Sequence, residues 1–355
     1  MTKTPPPSPT LRWLATACLP ASGTLQAPPD GWQSLLALAR RHRISGLLWK
    51  RLASCVDQVP PGVRAKLAAE ARTIAAANLR SVLECERLSS ALVADGLPFL
   101  FLKGLTLSQL VYHDATMKMS RDIDLLVLSE AIPAAARLLQ ALGYQPELPV
   151  DARVVSAWHR RAKESVWSGP NGVVLELHSR LNDNPAMMAG VTAATPARLV
   201  EVSPGIRLPT LPEPELLTYL AVHGASSAWF RLKWLADFAN LLRGKTADEL
   251  ADIHDAMLEL GAGRAGGLAL LLSERLFRLP LPPELRAKLA RDRATSWLVR
   301  EALRQLEATV EPTERRLGTA GIHLSQLLIG HGWTFPLREG QRRLAELVKR
   351  RLITT

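Results

Sequence analysis

Cysteine is scarce in this chain of 355 residues: Cys18, Cys55 and Cys85 are all there is, and they stand far apart. That excludes a disulfide scaffold and a cysteine-based zinc site, and free thiols make the cytoplasm the expected compartment. Long apolar runs are missing as well. A bilayer-spanning helix needs about 20 apolar residues, whereas the longest candidate, Ala265 to Ser273, is about half that and sits between Arg264 and Glu274. No secretory leader is expected, because the opening MTKTPPPSPT is proline-rich and Pro20 interrupts the short apolar stretch after Arg12. Acidic residues are in deficit, 33 against 44 Lys and Arg, which leaves a net charge of +11 and a pI near 10.0. Such a balance favours anionic partners: nucleotides, nucleic acid or acidic lipid. The chain also lacks a G-x-x-x-x-G-K-[ST] loop, an H-E-x-x-H pair and a G-x-S-x-G elbow.

What is present is ordinary globular material, 47% hydrophobic and 22% charged, enough for one large or two modest domains. Apolar residues at three- and four-residue spacing predict a helix or helix pair over Trp32–Leu52 and a long helix from about Val63 to Ala94, closed by Asp95-Gly96. The texture then changes. Short apolar runs predict strands at Pro98–Leu102, Ile123–Leu128 and Val173–Leu177, with helices between them, as in a compact core of mixed helix and strand. Beyond Pro185 the pattern reads as mostly helical, with helices at Pro212–Ala225, Trp229–Leu242, Asp248–Leu260, Leu268–Phe277 and Pro283–Leu306. The stretch Arg338–Arg351 holds six basic and two acidic residues on an amphipathic pattern, which reads as a solvated helix face or, in the alternative, a contact with an anionic surface. Gly261, Gly263 and Gly266 match G-x-G-x-x-G literally, but the preceding IHDAMLEL is helical, so these glycines are expected to join two helices.

The informative stretch is LFLKGLTLSQLVYHDATMKMSRDIDLLV, residues 100 to 127. Asp122 and Asp124 flank Ile123 at the mouth of a strand. Residues i and i+2 share one face of a strand, roughly 6.6 Å apart, so the two carboxylates converge while Ile123 anchors the strand in the core. Neighbouring carboxylates repel, and one must hold its proton more tightly unless a cation sits between them. Hard oxygen donors suit Mg²⁺ or Mn²⁺, which also recruit phosphates. Upstream, Lys103-Gly104 falls at a strand-to-helix junction, where glycine lets a ligand approach the backbone and free N–H groups face phosphate. Lys118 and Arg121 add positive charge. Downstream, Glu176 sits among apolar neighbours in VVLELH, with His178 on its face. On the later helices, His223 and Asp237 read as a buried hydrogen-bonded histidine and a helix-face aspartate ahead of substrate contacts, and Trp229 and Trp234 as core or interdomain packing ahead of a base-stacking platform.

The pattern LKG…Y…DIDLLV…LGY…LELH, with ANLRSVLECERLSSALVADGLPFLFLKG before it and LLTYLAVHGASSAWFRLKWLADFANLL after it, resembles the uncharacterised bacterial nucleotidyltransferases of the DNA polymerase β-like superfamily. The resemblance spans approximately Trp32–Leu242. It implies an α+β fold: a small mixed-sheet nucleotidyltransferase core over 97–182, flanked by an N-terminal helical region, 1–96, and a C-terminal helical domain, 183–355. It also implies a metal-dependent transferase that moves NMP from an NTP, ATP being the expected nucleotide, to an acceptor that could be a small molecule, peptide, protein or RNA. Matched residue by residue, Asp122, Asp124 and Glu176 are the catalytic and metal-holding carboxylates. Lys103 and Gly104 match the phosphate-binding turn, with Lys118, Arg121 and His178 around the nucleotide. Three positions depart from the commoner superfamily pattern: Lys-Gly stands for Gly-Ser, Lys118 for an arginine and Glu176 for an aspartate. A second reading is a non-catalytic module of the same fold, antitoxin-like or nucleic-acid-associated, that uses the basic surface.

Overall fold

The computed structural model describes residues 6–20, 26–147, 152–332 and 334–353. The chain divides into two compact units. One comprises residues 1–44, 50–64 and 217–355, the other 45–49 and 65–216. The division falls within the helices Ser45–Leu52, Pro61–Ala94 and Glu213–Ser226.

The second unit is built on a five-stranded sheet. Its strands are β1 (Phe99–Phe101), β2 (Asp122–Val127), β3 (Gln145–Pro146), β4 (Glu164–Ser168) and β5 (Val174–His178), in the order β1-β2-β5-β4-β3. β2 and β5 run parallel and every other pairing is antiparallel, so the sheet is mixed and the fold α+β. The parallel pair is what positions the site. Its register sets Asp122 beside Val174, Asp124 beside Glu176 and Leu126 beside His178. Because the side-chain period is two, these residues share one face, while Ile123, Leu125, Val127, Leu175 and Leu177 point the other way.

That second face is the core. Trp167 and Tyr144 are fully enclosed there, under Ile132, Ala135 and Leu139 of the helix Ile132–Ala141 and Val82, Cys85, Leu88 and Leu92 of the long helix. Each large side chain so buried contributes about 1.5–3 kcal/mol. The long helix starts at Pro61, where a missing N–H costs nothing, and stops before Gly96, whose φ of 65° an L-residue avoids.

β3, the helix Ala152–His159, β4 and a second hairpin depart from the sequence reading in this unit. β4 had no counterpart in it, although the Gly169–Gly172 turn joins β4 to β5 as a hairpin. A second hairpin, β6 (Arg198–Ser203) and β7 (Ile206–Thr210), stands where the chain beyond Pro185 was read as helical. It turns at Gly205 and contributes Val200, Val202 and Leu208 to the same core, and the Thr210 hydroxyl donates to the Phe101 carbonyl at 2.6 Å.

The other unit is helical. The helix Gly263–Phe277 is enclosed almost all round and packs against Pro9–Ala17, Leu232–Leu241, Ala247–Glu259 and Arg293–Glu307. Gly261 lies in the connection between Ala247–Glu259 and Gly263–Phe277, with Gly263 and Gly266 in the first turn of the latter, so the G-x-G-x-x-G match spans a helix–helix joint. The stretch read as one helix over Pro283–Leu306 is two, Pro283–Arg291 and Arg293–Glu307. They are divided at Asp292, whose carboxylate accepts from the Ala294 amide at 3.1 Å. Trp229 is fully buried, its ring 6.2 Å from Phe238, and His223 lies edge-on to Trp234 at 5.1 Å. In the basic helix Thr334–Ile353, Arg342 and Arg343 both pair with Glu339, at 2.5 and 2.9 Å. The side chains from 345 onward lie outside the described residues. Among the described residues no helix is long and apolar enough to cross a membrane.

Candidate active site

The polar face of the sheet gathers residues from three strands. Asp122 and Asp124 come from β2, Glu176 and His178 from β5, and Glu164 from β4, where the antiparallel register sets it opposite His178. Asp124 is buried to 2% exposure and His178 completely, whereas Glu164, Glu176 and Asp122 keep some access to solvent.

Lys103 Nζ stands 2.8 Å from Asp124 Oδ1. His178 Nε2 lies 3.3 Å from the same oxygen and 3.5 Å from Glu176 Oε2, and its Nδ1 lies 3.4 Å from Glu164 Oε2. These are ion-pair approaches between charged or chargeable groups. Both carboxylate oxygens of Asp124 and both ring nitrogens of His178 are buried without a hydrogen-bond partner. Nearly all buried polar atoms in proteins are hydrogen-bonded, so a buried cluster held by ion-pair approaches marks a place suited to binding a charged group.

The electrostatics separate the acids. Burial would raise the pKa of Asp124, but the Lys103 ammonium and the His178 ring beside it outweigh that and hold it well below the usual carboxylate range. Glu176 goes the other way: burial raises its pKa, the His178 ring opposes, and Asp124, Glu164 and Asp122 push it further up. The tighter hold on a proton expected of clustered carboxylates thus falls on Glu176. Burial opposes charge on His178, but Asp124 and Glu176 more than compensate, and its pKa is raised. Glu164 is lowered: burial works against ionisation, and the neighbouring Lys163, its ion-pair partner, and then His178 overcome it.

A small, shallow cleft, open to solvent, adjoins this face, lined among others by Lys103, Gly104, Thr106, Ser120, Asp122 and Asp124. Gly104 is where β1 gives way to the helix Leu105–Tyr112, and its φ of 76° and ψ of −119° suit glycine alone. A Cβ there would meet the Ser120 hydroxyl at 3.2 Å. The loop that leads into β2 is tied from below. The Asn78 side-chain amide, 1% exposed, donates to the Thr116 and Lys118 carbonyls at 2.8 Å and to Ala115 at 3.3 Å, and the Ser108 hydroxyl donates to the Asp114 carbonyl at 2.6 Å.

Of the residues singled out from the sequence, Lys103, Asp124, Glu176 and His178 come together, and Gly104 and Asp122 border the adjoining cleft. Among the described residues, Asp124, Glu176 and His178 form a group able to hold a cation, with donor atoms within 4.8 Å of one another. Asp122 stands one step along the same face, outside that group. Lys118 is buried, its own amide donating to the Ser108 hydroxyl at 3.3 Å, and does not line the cleft; Arg121 is exposed at the entry to β2. Sequence reasoning missed Glu164 and Ser120. For Glu164 there was a signal: ESVWS before a glycine-rich turn and VVLEL is a hairpin pattern, with Ser165 and Trp167 facing in and Glu164 facing out with Glu176.

A family model described as uncharacterised nucleotidyltransferase matches residues 28–278. No curated protein matches the chain.

Proposed function

The chain belongs to an uncharacterised nucleotidyltransferase family, and from that premise we propose that it transfers NMP from an NTP, ATP being the first to test, to an acceptor hydroxyl or amine. The observation that carries the reading is the pairing of a buried Asp124 with a half-buried Glu176 across two parallel strands, next to a cleft that begins at Lys103-Gly104. Carboxylate oxygens in that state fit a divalent cation such as Mg²⁺ or Mn²⁺. Asp124 and Glu176, with Asp122 on the cleft side, would hold it, and when bound it supplies charge neutralisation for the phosphates and a lower pKa for the acceptor.

The chain's own groups do the rest. The Gly104 turn and the start of the following helix offer backbone N–H groups to the β- and γ-phosphates, and Lys103 adds a charge. The acceptor atom attacks the α-phosphorus in line. The new bond to phosphorus forms as the bond to the bridging oxygen breaks, pyrophosphate leaves, and the acceptor's proton passes to Glu176 and on to solvent. All of these side chains lie within 97–182, which we take as the catalytic core. The three cysteines are buried thiols, which fits a cytoplasmic setting.

One observation favours the non-catalytic reading: Lys103 already compensates Asp124 from within the chain. The test is to incubate the protein with Mg²⁺ or Mn²⁺ and each α-labelled NTP and to follow pyrophosphate release and label transfer to material from the native host. The double variant Asp122→Asn, Asp124→Asn should abolish both. Absence of transfer, together with tight, salt-sensitive polynucleotide binding that the double variant retains, would sink the transferase reading.

A further inference from the structure

We propose that His178 is a nitrogen ligand of the cation through Nε2, that Glu164 is the positioning residue which holds the ring for that task, and that the site therefore selects Mn²⁺ over Mg²⁺. The inference rests on the transferase reading above and specifies which metal it uses. Two independent observations carry it. The first is the state of the ring itself. A completely buried imidazole normally has its nitrogens satisfied, yet Nε2 of His178 has no hydrogen bond and lies between Asp124 Oδ1 and Glu176 Oε2 at 3.3 and 3.5 Å. Donor atoms that share one octahedral ion at bond lengths of about 2.1 Å stand about 3 Å apart, so these separations suit ligands better than they suit partners of each other.

The second is the far side of the ring. A histidine that binds metal through one nitrogen commonly gives the N–H of the other to a carboxylate, which fixes tautomer and orientation. Glu164 Oε2 lies 3.4 Å from Nδ1, delivered by the β4–β5 register and itself paired with Lys163. The arrangement is carboxylate, imidazole, then two carboxylates, all on one sheet face. Mg²⁺ prefers an all-oxygen, well-hydrated shell, whereas an imidazole donor favours transition-metal ions.

The experiment uses the full-length protein with Mn²⁺ alone, without nucleotide. Electron spin-echo spectroscopy of the bound Mn²⁺ should show nitrogen coupling from an imidazole, and calorimetry should show Mn²⁺ bound more tightly than Mg²⁺. His178→Gln should remove the coupling. Glu164→Gln, the gentler change, should weaken Mn²⁺ by about tenfold or more while leaving Mg²⁺ binding nearly unchanged. Mn²⁺ bound with no nitrogen coupling in the unaltered protein would overturn the inference and leave the transferase reading standing. Failure to bind either ion, with or without NTP, would overturn both.

Discussion

The ion pair between Lys103 and Asp124 makes a prediction about stability that does not depend on knowing the acceptor. Lys103→Met keeps the aliphatic stem and removes the ammonium 2.8 Å from a carboxylate that has no exposed side-chain surface. Removing one partner of a buried ion pair costs about 3–5 kcal/mol, because the remaining charge is left in a poor solvent. Lys103 retains 18% side-chain exposure and His178 stays beside Asp124, so the lower end, about 3 kcal/mol, is expected. For a unit of this size that is a fall of about 6–12 °C in melting midpoint, read by circular dichroism or differential scanning fluorimetry. Mn²⁺ should then rescue the variant. At a hundred times its dissociation constant a ligand adds about 2.7 kcal/mol, enough to restore most of the loss. The unaltered protein should gain less, since its own ammonium competes for the same oxygen. Equal stabilisation of both proteins by Mn²⁺, or an unchanged midpoint for Lys103→Met, would refute the idea that lysine and cation serve the same carboxylate.

Two further outcomes follow from the geometry. Gly104→Ala forces an L-residue into φ 76°, ψ −119° and brings its Cβ to 3.2 Å from Ser120 Oγ. It should cost about 1–3 kcal/mol and weaken nucleotide binding measured by calorimetry, and an unchanged affinity would place phosphate elsewhere. His42 is completely buried, and its Nδ1 accepts from the Leu232 amide at 3.2 Å. Burial first, then the charges of Arg41 and Arg231, depress its pKa to about 3, against a slight opposing pull from the Leu306 backbone. The unfolded chain, with an ordinary histidine near 6.5, therefore binds more protons between these values, and stability rises with pH across that window. The contribution is complete above about pH 6.5 and is lost as pH falls toward 3, up to about 5 kcal/mol in all. A denaturation series from pH 4 to 7 that keeps the same slope in His42→Gln would contradict it.

Much of the site was legible before folding was considered. The alternation in Asp122-Ile123-Asp124 is a strand period, so two acids on one face and an anchor on the other follow from covalent geometry. Glycine after Lys103 at a strand end announces an unusual backbone, and Gly104 has one. The alternation that hides Ser165 and Trp167 equally exposes Glu164, but five residues bounded by Ala162-Lys163 are too short for periodicity to separate strand from loop. The hairpin at Arg198–Thr210 escaped for a similar reason: it is short and bears Arg198, Glu201 and Arg207, and its apolar residues gain meaning only against the core they complete.

Sequence alone determined the inventory: which strands carry acids, which face each acid takes, where glycine frees the backbone, and that the charge balance favours anionic partners. It could do so because side-chain alternation and steric limits on φ are local properties. Only the tertiary structure decided who meets whom. Parallel pairing of β2 with β5 selects Asp124, rather than Asp122, as the neighbour of Glu176, and antiparallel pairing of β4 with β5 delivers Glu164 to His178. Registers between strands some fifty residues apart in the chain are chosen by burial of the opposite face, a sum over the whole core that no single segment contains.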